Sequence, residues 1–130
     1  MASVVYPLAL EAMLSGEINL TSDTVKMIVV DTDDYTYSAA HEFLSDVAAG
    51  SRTATSDAVT GKTVALGVFD CDDVPIAAVV GDQSETCLFY QHTGNEATSR
   101  LLSYNELSVA YLPDSSDVVA VIHASGVFSI

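Results

Sequence analysis

Basic residues are nearly missing from this sequence. Lys26, Arg52, Lys62 and Arg100 face eighteen aspartates and glutamates in 130 residues, leaving a formal charge of −14. Nucleic-acid binding depends on lysine and arginine to neutralise phosphates and release counterions, so no direct contact with DNA or RNA is expected. Anionic membrane surfaces are disfavoured for the same reason. Charged residues of both signs make up only 17% of the chain, so the imbalance is a shortage of cations and not a surplus of acids. The acidity suits a free subunit that must stay soluble and unassociated, and equally one that meets a cationic partner.

Further absences narrow the class. No apolar run approaches the ~20 residues of a membrane-spanning helix, so a soluble protein is expected. Residues 1–17 carry Glu11 beside their apolar positions and have no positive leader, which argues against a secretory signal. The Asn19-Leu20-Thr21 sequon then has no glycosylation meaning. Cys71 and Cys87 are too few for a disulfide framework and lack zinc-like spacing; reduced thiols are expected. HExxH, GxSxG and glycine-rich phosphate loops are all missing. His41, His92 and His123 fall in separate predicted elements. Eighteen carboxylates always offer some glycosidase-like pair, which deprives that signal of force. No enzyme activity and no cofactor are expected.

What is present is one domain's worth of chain, 49% hydrophobic, enough to bury a continuous core. Tyr6, Leu10, Met13 and Leu14 form the i, i+4, i+7, i+8 stripe of a short amphipathic helix. Pro7 suits its first turn and Gly16 its C-terminal cap. A second helical turn is expected within Ala40 to Val47. The remainder reads as eight short strands: 24–31, 51–56, 62–69, 74–80, 86–91, 100–105, 118–123 and 127–130. Turn residues separate them, among them Thr60-Gly61, Gly81-Asp82, Thr93-Gly94-Asn95 and Ser125-Gly126, the last a short hairpin signal. The expected fold is mainly β, a single antiparallel β-sandwich or partly open barrel with a short N-terminal helix.

Two acidic clusters follow predicted strands. Asp31, Asp33 and Asp34, and likewise Asp70, Asp72 and Asp73, are weak calcium candidates, because loop carboxylates can converge on a hard cation. Neither cluster has the sharp-turn glycine and distal glutamate of a calcium loop, and aspartate is itself a turn former. Tyr35 and Tyr37, at alternate positions past the first cluster, could form a docking surface or pack over a sheet edge.

The succession of segments carries a resemblance. Leu20-Thr21-Ser22-Asp23-Thr24-Val25-Lys26, then Val30-Asp31 to Tyr35-Thr36-Tyr37-Ser38-Ala39-Ala40-His41-Glu42-Phe43-Leu44-Ser45-Asp46-Val47, resembles a family of small virion structural proteins of tailed bacteriophages. Arg52-Thr53-Ala54-Thr55-Ser56, Thr60-Gly61-Lys62-Thr63, Phe69-Asp70-Cys71-Asp72-Asp73-Val74 and Glu96-Ala97-Thr98-Ser99-Arg100-Leu101 continue it, over roughly residues 5 to 102. The chain departs from that pattern at Leu107 to Asp117, where a glycine- and proline-richer loop is usual, and at Cys71.

The resemblance implies a non-enzymatic particle component, made in the host cytoplasm and resident in the virion. The first expectation is a capsid decoration or cement protein on the outer surface of the major capsid protein shell, forming a homo-oligomer. The alternatives are a tail or adsorption-apparatus module and a carbohydrate-binding β-sandwich. For the capsid role the expected contacts are Tyr6, Leu10, Met13 and Leu14 of the N-terminal segment and Tyr35 and Tyr37 of the aromatic loop.

Overall fold

The computed structural model describes residues 3–123 and 125–130. The fold is mainly β, 37% strand against 11% helix, and every strand pairing among the described residues is antiparallel. It is of the sandwich or open-barrel kind, with one short N-terminal helix. The strands are β1 (Ser3–Val5), β2 (Val25–Val30), β3 (Arg52–Thr55), β4 (Thr63–Ala65), β5 (Val68–Asp70), β6 (Val74–Ile76), β7 (Ser84–Gln91), β8 (Leu101–Tyr111), β9 (Val118–Ala120) and β10 (Phe128–Ser129). They form a five-stranded sheet of order β1-β8-β7-β2-β3, a three-stranded sheet β10-β5-β4 and a ribbon β6-β9. No described helix is long and apolar enough to cross a membrane.

The five-stranded sheet is covered on both faces. Register sets Met27 against Phe89, Val29 against Cys87 and Cys87 against Asn105, and alternation puts these on one face. That face meets the smaller sheets. Asn105 Nδ2 donates to the Val127 carbonyl at 2.9 Å, and Met27, Phe89, Ile122 and Val127 share a small cleft of about 80 Å³. The opposite face, with Ile28, Leu88 and Tyr104, lies under the 31–51 segment. Tyr37 and Tyr35 approach Tyr104 at ring separations of 5.5 and 6.4 Å, and Leu44 lines a cleft with Ile28 and Tyr90. Double coverage explains why β2 reads VKMIVV, a nearly continuous apolar run, with five of its six residues buried.

The helix α1 (Pro7–Leu14) begins with Pro7, whose missing N–H falls where the helix has no acceptor to offer. It ends in a Schellman motif: Gly16 at φ +81° sends its N–H to the Met13 carbonyl, and the Glu17 N–H reaches that of Ala12. Its buried positions are Ala9 and Ala12. This corrects the expected stripe: Leu10 and Met13 are half-buried, and Leu14 is 89% exposed. Small side chains let the helix backbone lie close to the body of the protein, and the larger ones are turned aside.

Other boundaries shift for local reasons. The predicted strand over 62–69 is two strands, β4 and β5, joined by Leu66 and Gly67 at φ +52° and +79°. Two consecutive positive φ values are what a two-residue type I′ hairpin requires. The second predicted helix is one 3₁₀ turn, Leu44–Asp46, with the Asp46 carboxylate accepting the N–H groups of Glu42 and Phe43. Those hydrogen bonds hold the Asp46 carboxyl below its ordinary range. Ser125-Gly126 turns the chain without forming a hairpin, because β9 pairs with β6 and β10 with β5. β1 lies outside all eight predicted strands.

β8 extends well past the predicted residue 105. Glu106 pairs with Thr86 and Tyr111 with Ser84, so the four residues Leu107 to Ala110 stand opposite Glu85 alone. The strand bulges outward there, and Val109 is 78% exposed. The Thr86 hydroxyl and the Tyr111 phenol, one at each end of the bulge, are buried without a hydrogen-bond partner among the described residues.

Arginine joins these parts. Arg52 donates to the carbonyls of Val47 and Leu44 and pairs with Glu96 at 2.9 Å, tying the 3₁₀ turn to the loop after β7. Arg100 pairs with Glu42 at 2.7 Å and Glu17 at 3.2 Å, and lies over the Phe43 ring. The Lys62 ammonium donates to the Asp23 carbonyl. Three of the four basic side chains are thus spent on internal contacts.

Candidate functional site

The aromatic loop is an internal strut. Tyr35 is 4% exposed and Tyr6 is fully buried, so neither offers a surface in the isolated chain, contrary to the expectation for both. Their hydroxyls share a hydrogen bond of 2.7 Å, and the Tyr35 hydroxyl also meets His41 Nδ1 at 2.8 Å. Tyr37, half-buried, packs edge-on against Tyr6 at 5.1 Å. Burial pushes the Tyr35 phenol up to about 12, and burial with the Tyr35 hydrogen bond raises Tyr6 well above an ordinary phenol. The cause is connectivity: Tyr6 directly follows β1, with its N–H on the Leu102 carbonyl, so the loop closes over the sheet by way of the two phenols. Buried phenols require partners, and here they supply one another.

The acidic clusters separate in character. Asp70, Asp72 and Asp73 point to different partners: Asp70 accepts the Cys71 N–H, Asp72 the Thr60 hydroxyl and Asp73 the Ile122 N–H. Each holds a turn. In the first cluster Asp31 is buried and accepts the Asp33 N–H, while Asp33 and Asp34 are exposed. Carboxylate oxygens of Asp31, Asp34 and Asp82 lie within 4.8 Å of one another. Asp82, absent from the sequence-level candidates, arrives from the loop before β7, whose Glu85 also accepts from the N–H and hydroxyl of Thr32. With one oxygen from each, three carboxylates supply about half of the oxygen set of a calcium ion or less. Exposed acids of this kind occur as readily in ordinary turns.

The small cleft between the layers places Cys87, Asn105 and His123 in one lining, residue types that serve in thiol catalysis. Their states are wrong for it. Burial alone pushes the Cys87 thiol up to about 12, whereas a catalytic cysteine needs a nearby cation to lower it. Asn105 is committed to the Val127 carbonyl and the Ser103 hydroxyl, and His123 Nδ1 accepts the Ser125 N–H. Cys71 is likewise buried, its thiol raised to about 11 by burial and then by Asp70, Asp72 and Asp73.

The surface carries a different signal. Ten large hydrophobic side chains are exposed among the described residues, and all are aliphatic; every tyrosine and phenylalanine is buried or half-buried. Val109, Leu112, Val119 and Val121 belong to β8, β9 and their flanking loops, Val80 to the loop between β6 and β7, and Leu14, Val64, Leu66 and Ile130 to the helix end and the β4–β5 side. Of the expected contact residues only Leu14 is fully in solvent; Leu10, Met13 and Tyr37 are half-covered. Sequence periodicity missed Leu66, which it placed within a strand, although Gly67 beside it was the available turn signal. No protein-family model matches the chain, and no curated protein matches it.

Proposed function

We propose that this chain is a non-enzymatic structural protein of a bacteriophage particle, a decoration subunit seated on the outer surface of the major capsid shell. The observation that supports it best is the set of aliphatic side chains held in solvent on and beside paired strands, Val80, Val109 and Val119 among them. Exposed aliphatic groups on a rigid scaffold suit burial against another protein. A sugar-binding role would call for an exposed tyrosine, tryptophan or phenylalanine ring to stack on, and no described tyrosine or phenylalanine is exposed in a chain without tryptophan. The phage context itself comes from the resemblance over residues 5 to 102.

Removing the N-terminal fifteen residues would delete β1 and the buried Tyr6, and so would confuse folding with binding. The informative experiment counts copies of the chain in separated head and tail fractions of particles that encode it. High copy number on heads, lost on substituting Val109→Asp and Val119→Asp with the fold retained, is the expected result. Presence in tails alone, or in neither fraction, overturns the proposal.

A further inference from the structure

We infer that the protein self-associates through the groove between the α1 exit and the β4–β5 hairpin, with Leu66 as the knob that a second copy receives. The inference concerns the isolated protein and stands apart from the phage reading. The groove has a volume of about 400 Å³, with Met13, Ile18, Leu20, Val64, Phe69 and Ile130 in its lining and no charged side chain among the rest. Leu66, wholly exposed, stands at its rim, next to Gly67, whose carbonyl accepts the Ile130 N–H.

Charge identifies the occupant. Two copies of a chain with a net charge of −14 repel wherever carboxylates face each other. None of the residues lining the groove carries a charged side chain, and Glu17, which falls between Gly16 and Ile18, is paired with Arg100 at 3.2 Å. A partner selected for its basic surface would gain nothing from so neutral a patch; a second acidic copy gains the one kind of contact that avoids repulsion. Geometry agrees. A knob and a groove side by side on one surface are self-complementary under a two-fold axis, each Leu66 entering the other groove. Leucine at φ +52° is also a costly choice, since Asn or Gly fits that turn position better. An unfavourable residue retained at a fully exposed tip is accounted for if the side chain is buried on assembly.

Sedimentation equilibrium of the intact chain, from about 1 to about 100 µM at low and high salt, tests this. The expected result is a dimer that tightens with salt, with Leu66→Asn weakening it by at least about tenfold while the melting temperature holds or rises. Because asparagine suits the turn, loss of fold does not obscure that result. Val64→Lys should weaken the dimer as well. A wild-type chain that remains monomeric throughout overturns the inference, as does a dimer unaffected by both substitutions. If the chain is monomeric and Leu66→Asn instead reduces its retention on phage heads, the groove serves the shell and not a second copy.

Discussion

Tyr35 shows how a side chain of ambiguous reading is resolved by its hydroxyl. Substituting Tyr35→Phe leaves the Tyr6 phenol and His41 Nδ1 without their shared partner. The expected cost is about 1–3 kcal/mol in urea denaturation. Tyr37→Phe should cost much less, since Tyr37 contributes ring packing to Tyr6 and Tyr104. The same pair makes stability sensitive to alkali. Both phenols are raised above their unfolded value of 10, so the stabilisation is complete below about pH 10 and is lost as pH rises through the raised folded values. Ultraviolet titration should find Tyr6 and Tyr35 ionising late and together with unfolding, with Tyr90 also raised by its burial; early, independent ionisation of all six would refute that. In the sequence, the alternation of Tyr35 and Tyr37 fits exposure and burial equally. What decides it is Tyr6, which lies twenty-nine residues away, and no local pattern reports such a partner.

Among the elements, the β4–β5 hairpin and the Arg52 tie carry the sharpest expectations. Leu66→Gly should stabilise the isolated chain by about 1 kcal/mol, because relief of a left-handed leucine outweighs the added freedom of glycine in the unfolded state. Thermal denaturation of a dilute sample measures it. Arg52→Met should cost about 2 kcal/mol or more through the abandoned carbonyls of Val47 and Leu44, whereas Glu96→Gln, on the exposed side of the same pair, should change little. Elements were legible where chemistry is local. Pro7 and Gly16 bound the helix as expected, and the apolar run of β2 was plain. The β8 extension was not, because residues 106–111 are held by a bulged pairing with Ser84 and Thr86 and carry no period of their own. Nor was the face of α1, where two alanines supply the buried contact and periodicity gave weight to the larger residues.

At the scale of the whole molecule, the shortage of cations is sharper than composition alone conveys. Arg52, Arg100 and Lys62 are engaged internally, so the charge that remains free on the outer surface is almost wholly negative. Self-association should therefore strengthen with added salt, the reverse of an association driven by opposite charges. The mainly β class was legible because strand-like runs and turn residues recur throughout, while the partition into three sheets was not, since it depends on which distant strands meet. The pairing of Ser3 with Asn105 has a consequence for how the chain comes into being. During synthesis the first strand leaves the ribosome about a hundred residues ahead of the strand that receives it. Until β8 is extruded, β1 has no strand to pair with, and Tyr6 has the rings of Tyr35 and Tyr37 but not the sheet beneath them. The nascent chain must carry that segment unsheltered, and folding waits for the arrival of the second half. A domain built on so distant a closure is expected to fold in milliseconds to seconds, and to depend on chaperones more when translation is slow than when it is fast.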